Sequence, residues 1–205
     1  INHGLSTGGL FAIVGMLYER YHTREISNLG GLARRLPWIS FFMLVFTFSS
    51  IGLPGLNGFP GEFMILTAAF QRGFAELTGP WKFALQSVAV LSVTGVVLGA
   101  WYMLWLVKRV FFGPLHEPDH GGHGDAHGDG HGEPTSDLRW REFAALAPLV
   151  VFVVWIGLQP DYFLRRMQPT LNPVADSLVR PIERRWGEAN AQTALRPAQD
   201  TVGSR

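Results

Sequence analysis

The ionisable residue best placed for chemistry is Glu62, which directly follows 26 uncharged residues from Leu36 to Gly61. A carboxyl group beside an apolar segment of this length is costly to insert into a membrane and is a functional candidate by default. Because removal from water disfavours the charged form of a carboxyl group, Glu62 is expected to load and release protons near neutral pH. The alternative is a surface glutamate that caps a helix from Glu62 to Phe70, a position that suits an acidic residue.

His3 is the second candidate, since it lies in the apolar opening segment from Ile1 to Tyr18. A histidine within a membrane suits a proton relay, because the imidazole ring normally changes charge close to neutral pH. The alternative is a packing histidine that is hydrogen-bonded to a neighbouring helix, and the sequence leaves both open. His22, which lies among solvated charges, is expected to be an interfacial loop residue.

Five histidines are spread through the run from His116 to Glu133, interleaved with acidic residues and glycines. Spacings of three and four residues would align imidazole rings on a helix, but so many glycines disfavour a helix. His-rich tracts can bind metal without a dedicated site, and neither a closed four-ligand spacing nor a set of orienting groups is visible here. We therefore expect a disordered loop and no metal site.

The helices that position these residues can be predicted from the small number of charged residues and where they lie. Of the 205 residues, 47% are hydrophobic and 16% are charged, whereas a typical soluble domain has about 25% charged residues. Uncharged runs of 26, 25 and 18 residues extend over Leu36–Gly61, Phe83–Val107 and Phe143–Pro160. Since a membrane span needs about 20 apolar residues, these runs and the opening segment Ile1–Tyr18 predict an integral membrane protein.

The second apolar segment, Leu36–Phe70, is too long for one straight span, because its 35 residues would form a helix about 52 Å long. Its middle, Gly52–Gly61, holds four glycines and two prolines. Those six residues would cost a continuous helix about 10 kcal/mol relative to alanine. We predict one discontinuous membrane helix, whose break is either buried in protein or lines a wet cavity.

Composition also excludes some functions and suggests an organisation. The absence of cysteine excludes disulfides, thiolate zinc sites and iron–sulfur clusters within the chain, and a net charge of +1 without a basic stripe argues against a nucleic-acid partner. We predict membrane helices over 1–112, a His/Gly/Asp-rich loop over 113–142, a last transmembrane helix over 143–160 and a polar C-terminal tail over 161–205. Residues 179–186 of the tail either lie on a membrane surface or belong to a disordered C-terminus.

Six motifs stand out in the first third of the chain: His3–Phe11, Leu17–Arg20, His22–Arg24, Gly30–Leu32, Gly52–Gly55 and Gly58–Phe63. Together they resemble the antiporter-like membrane subunits of the proton-pumping NADH-quinone oxidoreductase, respiratory complex I. The run Glu19–Arg24 favours the subunit M (chain 4) branch of that family. The resemblance extends from Ile1 to about Leu158, and because the chain opens inside an apolar segment we expect a C-terminal fragment.

The resemblance implies a fold and roles for the two candidates. The fold is all-α, a polytopic transmembrane helix bundle with one discontinuous helix, in which this chain supplies the four C-terminal membrane helices of a larger antiporter-like fold. Glu62 matches the acidic residue at the end of a half-channel, and His3 matches a histidine on the central hydrophilic axis. The implied function is proton translocation coupled to quinone reduction, by a non-redox subunit of an NADH:quinone oxidoreductase.

The resemblance also implies the surroundings of the chain. It places flavin, iron–sulfur clusters and quinone in partner subunits and no cofactor in this chain. The expected partners are other antiporter-like membrane subunits and the lipid bilayer, in a bacterial inner membrane. Two alternatives stay open: a subunit of a multi-subunit cation/proton antiporter or membrane-bound hydrogenase, and a set of purely architectural helices.

Overall fold

The computed structural model describes residues 1–74, 82–118 and 136–194, with the backbone alone from residue 178 onward. Within these ranges six α-helices follow one another: α1 Asn2–Tyr21, α2 Pro37–Ser50, α3 Gly58–Phe74, α4 Lys82–Phe111, α5 Trp140–Leu158 and α6 Pro160–Ala194. The described ranges contain no β-strand and a single isolated antiparallel bridge, between Gly30 and His116. The predicted all-α class is confirmed.

Two of these helices, α4 and α5, are long and apolar enough to cross a membrane, by length and composition. The α2 helix is apolar but has only 14 residues, which correspond to about 21 Å. It is thus shorter than the hydrocarbon core of about 30 Å, and α2 and α3 are two parts of the interrupted segment. The four predicted membrane segments correspond to α1, α2 with α3, α4, and α5.

The first half of the interrupted helix ends in a Schellman motif, which satisfies carbonyl groups that a helix end leaves free. Gly52 adopts a left-handed conformation with φ of 71°. The Leu53 N–H donates to the Phe48 carbonyl over 3.0 Å, and the Gly52 N–H donates to the Ser49 carbonyl over 3.4 Å. The break therefore follows from glycine's freedom to take positive φ.

A tight turn follows, in which the Leu56 N–H donates to the Leu53 carbonyl over 3.1 Å. Pro54 and Gly55 occupy its two central positions, with φ of 93° at Gly55, as a type II turn favours. The predicted discontinuity is confirmed, but the non-helical part is shorter than 52–61 because α3 already begins at Gly58. Pro60 fits in the first turn of α3, where its missing N–H would have no partner within the helix.

Small residues bring the first two helices close together, as their use in membrane helices suggests. Gly9 of α1 is buried, and a Cβ atom there would lie 2.5 Å from the ring of Phe46 on α2. Phe46 is fully buried and belongs to a hydrophobic core that includes Ile13 of α1, Ile39 of α2 and Val153 of α5. This core packs α1 against α2 and α5.

A buried ion pair joins the end of α1 to the start of α5. Arg20 binds both carboxylate oxygens of Glu142, over 3.1 and 2.7 Å. Its remaining N–H groups donate to the carbonyls of Met16, Ser136 and Asp137 over 2.9, 3.0 and 2.9 Å. All five donors of the guanidinium are used, so the charge is fully compensated where it lies.

The same segment caps the start of α2. The Asp137 carboxylate accepts hydrogen bonds from the backbone N–H groups of Trp38 and Ile39, over 2.8 and 3.3 Å. Pro37 begins the helix and needs no such partner. A cap normally comes from the preceding residue, whereas here it comes from a segment about 100 residues further along the chain.

The described ends of the predicted loop over 113–142 are ordered. His116 exchanges two backbone hydrogen bonds of 2.9 Å with Gly30, and α5 begins at Trp140, three residues before the predicted start. The other four histidines of the run, His120, His123, His127 and His131, lie outside the described residues, so the prediction that they form a disordered loop remains a prediction.

Residues 161–205 form a separate compact unit. The backbone of its described part is helical up to Ala194, as the continuation of α6. Asp161 pairs with Arg165 over 2.7 Å, and Arg166 lies 4.5 Å from the centre of the Tyr162 ring. The polar tail is thus a helix over most of its length, including the backbone of residues 179–186. Whether those residues lie on a membrane surface stays open.

Candidate functional site

A cavity of about 510 Å³ lies beside the helix break, between α1, the end of α2, the first turns of α3 and one side of α4. Both candidates from the sequence line it: His3 from α1 and Glu62 from α3. Since one water molecule takes up about 30 Å³ in the liquid, the cavity has room for several. The fold thus brings together two titratable residues that are 59 positions apart in the sequence.

Glu62 occupies the second turn of α3, because that helix begins at Gly58. It therefore does not cap the helix, which was the alternative that the sequence left open. Its carboxylate lies against Gly52 in the break, so closely that a Cβ atom on Gly52 would overlap it. Within the described ranges no cation or hydrogen-bond donor pairs with this half-buried carboxylate.

His3 faces the same cavity from the first turn of α1. Its Nδ1 atom lies 3.2 Å from the hydroxyl oxygen of Thr7, one turn further along the helix. Thr7 also lines the cavity. This hydrogen bond stays within α1, and the imidazole is exposed in the isolated chain, so the described structure does not place His3 as a packing residue hydrogen-bonded to another helix.

Other hydroxyl groups complete the lining, and the sequence analysis did not single them out. Ser50 ends α2 at the break, and Tyr102 reaches the cavity from α4. Hydroxyl groups donate and accept hydrogen bonds, so they can connect water molecules to the carboxylate and the imidazole. Their signal in the sequence was weak, because serine and tyrosine are common in membrane helices without a functional role.

A buried network of polar side chains borders the cavity on the protein side. The Ser6 and Ser49 hydroxyl oxygens lie 2.6 Å apart, and both hydroxyls point at the side-chain oxygen of Asn57, with Ser49 donating the shorter bond. Asn57 and Asn2 exchange two bonds, each from a side-chain amide to the other residue's backbone carbonyl, over 2.8 and 3.2 Å. Asn57 and Ser49 are completely buried.

No group of three or more His, Cys, Asp or Glu side chains lies together in the part of the chain that the structure describes. Glu62 and His3 are thus a carboxyl and an imidazole at a cavity rather than two members of a larger ligand set. Chemically, such a pair can accept and release protons at the cavity, and neither residue is placed as a nucleophile.

Comparison with known proteins shows what the chain is similar to. Residues 1–79 match the family described as NADH:quinone oxidoreductase/Mrp antiporter, transmembrane. The NADH-quinone oxidoreductase subunit M of Rhodobacter capsulatus is 36% identical over 171 residues, which cover 83% of this chain and 29% of that protein. The first match includes α1, the helix break and Glu62.

Solved structures agree with this result. A chain of respiratory complex I from Thermus thermophilus with bound NADH is similar at 30% identity and a TM-score of 0.63, over 82% of this chain and 30% of that one. A chain of the Mrp complex from Dietzia sp. DQ12-45-1b has the same fold, with 23% identity and a TM-score of 0.59 over 80% of this chain and 34% of that one.

The chain spans about three tenths of the length of the subunit M relative and of the complex I chain. Its helices α4 and α5 and its match to a transmembrane family make it an integral membrane protein. The sequence motifs, the discontinuous helix and the comparisons agree with one another. Over most of its length the chain is similar to antiporter-like membrane subunits, among them subunit M of NADH-quinone oxidoreductase.

Proposed function

We propose that this chain takes part in proton translocation coupled to quinone reduction, as part of the membrane subunit M of an NADH-quinone oxidoreductase. The observation that carries the proposal is the cavity at the helix break, which both Glu62 and His3 line. The subunit M relative and the complex I chain support it, and their names supply the reaction to which proton movement is coupled.

Glu62 is the proposed proton-carrying residue. Within the described ranges its carboxylate has no cation or donor to hold it in one charge state, and its position at a cavity gives it access to water. A group that transfers protons must gain and lose its proton at comparable cost. An unpaired, half-buried carboxyl group meets that requirement better than one in a salt bridge.

His3 is the proposed partner of Glu62 in proton movement. Its imidazole lies on the same cavity and has one nitrogen bonded to Thr7. A ring with one nitrogen in a hydrogen bond and the other free can pass a proton by taking it up on one side and releasing it on the other. The hydroxyl groups of Ser50 and Tyr102 would extend this path within the cavity.

The redox chemistry is assigned to partner subunits. The chain has no cysteine with which to ligate an iron–sulfur cluster, and we assign flavin, clusters and quinone to other subunits of the complex. Its contribution to the enzyme is non-redox, and the driving free energy must reach the cavity through a two-state conformational change. We place the protein in the inner membrane of a bacterium, beside other antiporter-like subunits and lipid.

A second candidate function is cation/proton exchange in a multi-subunit antiporter. The family that matches residues 1–79 includes Mrp antiporters, and the Mrp complex shares the fold. The same cavity and the same Glu62 would serve this function. The two functions differ in the energy source, which is NADH oxidation in one case and a gradient of another cation in the other.

The decisive experiment is NADH-driven proton uptake by inverted membrane vesicles that contain the full-length subunit in its complex. In Glu62→Gln, the shape of the side chain is kept and the proton site is lost. We expect proton uptake and quinone-linked NADH oxidation to fall together by about tenfold or more, since loss of a proton-transferring group typically costs at least that much.

Glu25→Gln is the matched control, because Glu25 is an exposed carboxylate outside the cavity. It should leave uptake unchanged. Unchanged uptake in an assembled Glu62→Gln complex would show that Glu62 is structural. Absence of NADH-linked uptake in the parent vesicles, together with uptake driven by a sodium gradient, would establish the antiporter function instead.

A further inference from the structure

Asn57 connects the two sides of the cavity that carry the proposed proton-exchanging residues. It directly precedes α3, five positions before Glu62, and its side-chain amide donates to the backbone carbonyl of Asn2, the neighbour of His3. Asn2 returns a hydrogen bond to the Asn57 carbonyl over 2.8 Å. The start of α1 and the start of α3 are therefore joined by a reciprocal pair of hydrogen bonds.

The same asparagine is also joined to the end of α2. Its side-chain oxygen accepts from Ser49, one turn before the Schellman motif, and from Ser6 of α1 over 3.4 Å. The Ser6 and Ser49 hydroxyls contact each other at 2.6 Å. Asn57 thus uses both its oxygen and its amide nitrogen, and with Ser49 and Ser6 it joins the three segments that meet at the break.

Because this network is buried, it constrains how the three segments are arranged. Asn57 and Ser49 are completely buried and Ser6 is 5% exposed, so these side chains satisfy one another's hydrogen bonds rather than being solvated by bulk water. Leaving a buried donor or acceptor unpaired is costly, and the backbone must therefore hold the three segments in one arrangement. Because the Glu62 carboxylate lies against Gly52, within the break itself, its position depends on that arrangement.

We propose that Asn57, with Ser49 and Ser6, is a positioning residue that fixes Glu62 relative to His3 across the cavity. This inference rests on the proposed function and extends it. Asn57 does not itself carry the proton, since an amide does not titrate in the physiological range. It acts by holding the end of α2 and the starts of α1 and α3 so that the carboxylate and the imidazole face the same water-accessible space.

The test compares three substitutions in the full-length subunit within its assembled complex. Asn57→Ala removes the centre of the network, and Ser49→Ala removes one bond to it. Ser40→Ala is the matched control: Ser40 is on the same helix as Ser49 and is also buried, but its hydroxyl donates to the carbonyl of Leu36, one turn earlier in the chain. The quantities measured are the amount of assembled complex, and NADH-driven proton uptake by inverted vesicles over a range of pH.

Asn57→Ala and Ser49→Ala should lower proton uptake per complex by about two- to tenfold, as expected for the loss of buried hydrogen bonds, and should displace the pH at which uptake is half-maximal. The titratable groups that line the cavity are Glu62, His3 and Tyr102, and moving Glu62 changes the surroundings of all three. Ser40→Ala should leave both quantities unchanged. A purely structural network would reduce the amount of complex and leave the pH profile in place.

Assembled Asn57→Ala and Ser49→Ala complexes with the parental pH profile and uptake would overturn the proposal. If Asn57→Ala does not assemble, Ser49→Ala and Ser6→Ala decide the matter, since each removes only a hydroxyl. Glu62→Gln separates this proposal from the one on which it rests. Loss of uptake in Glu62→Gln with parental profiles in the network variants overturns only the positioning role, whereas unchanged uptake in Glu62→Gln overturns both.

Discussion

Two polar regions in the described part of the chain differ in how charge is compensated. Where α1 ends, Arg20 meets Glu142 in a bidentate pair and every guanidinium donor is bonded. At the helix break, neutral side chains around Asn57 are bonded to one another, while the nearby Glu62 carboxylate has no partner in the described ranges. A fully paired charge fixes a structure, whereas an unpaired acid remains available for proton exchange.

The two regions also differ in how much stability a substitution is expected to cost. Breaking a buried ion pair leaves one uncompensated charge, which costs about 3–5 kcal/mol. Neutralising an unpaired carboxylate removes a charge that stabilised nothing. The comparison therefore predicts that substitutions at the ion pair change stability, and that substitutions at Glu62 change function with little effect on stability.

The largest effect on stability is expected from Arg20→Gln. This substitution leaves Glu142 without its cation in a site where the two side chains are only 9% and 13% exposed. The expected loss is about 3–5 kcal/mol, seen as a lower Tm of the purified full-length protein in detergent and as less assembled complex in membranes. Arg24→Gln is the control, because Arg24 is exposed and contacts only the face of Tyr18 in the described structure.

Arg24→Gln should cost about 1 kcal/mol or less, in line with an exposed cation–π contact. A loss at Arg20 as small as that at Arg24 would show that the ion pair does not fix the structure. The proposed difference between the Arg20–Glu142 pair and Glu62 would then be wrong for the ion pair. Under the same conditions, Glu62→Gln should have the Tm of the parent.

An intermediate effect is expected from Gly52→Ala, at the break itself. Gly52 has φ of 71°, and a Cβ atom there would overlap the Glu62 carboxylate. Strained backbone of this kind costs about 1–3 kcal/mol, and the displaced carboxylate should also lose its place at the cavity. We expect a lower Tm together with lower NADH-driven proton uptake.

Gly61→Ala is the matched control for Gly52→Ala. A Cβ atom at Gly61 meets nothing within 4 Å, and the residue lies in α3 without positive φ. Alanine in a helix is favoured over glycine by about 0.5–1 kcal/mol, so stability should be equal or slightly higher. Equal stability of Gly52→Ala and Gly61→Ala would show that the break does not depend on left-handed backbone.

The smallest of the three effects is expected from Asp137→Ala. Loss of the carboxylate that caps α2 should cost about 0.5–2 kcal/mol, as for other capping residues. Thermal unfolding measures this loss, with Asp161→Ala as control. Asp161 pairs with Arg165 where the two side chains are 67% and 74% exposed, so its loss should cost no more than about 0.5 kcal/mol. Equal losses at the two aspartates would contradict the capping role of Asp137.

The features that local sequence determines could be predicted. Six glycines and prolines between Gly52 and Gly61 require a break in a long apolar segment, and the break is present. Where the break ends depends on which of these glycines and prolines can occupy the first turn of the next helix. Gly58 and Pro60 do, because the first N–H groups of a helix have no partner within it, and α3 therefore starts earlier than the composition indicated.

Contacts between distant residues could not be predicted from the sequence. Ser6 and Asn57 are 51 positions apart, and Arg20 and Glu142 are 122 positions apart. Serine, asparagine and charged residues near helix ends have no periodicity that identifies a partner. The helical backbone of α6 was also not predicted, because Pro169, Pro173 and Pro181 each remove a helix hydrogen bond and obscure the pattern of the apolar residues between them.

The cap on α2 sets an order of events during synthesis of the chain. The Trp38 N–H group is bonded by Asp137, which leaves the ribosome 99 residues later. At about 5–20 residues per second, Asp137 is synthesised roughly 5–20 s after Trp38, so the cap on α2 cannot form earlier. Glu142 follows Arg20 by 122 residues, so Arg20 is without its ion-pair partner for longer. The start of α2 and the end of α1 therefore gain these bonds only after residues 137–142 have been synthesised.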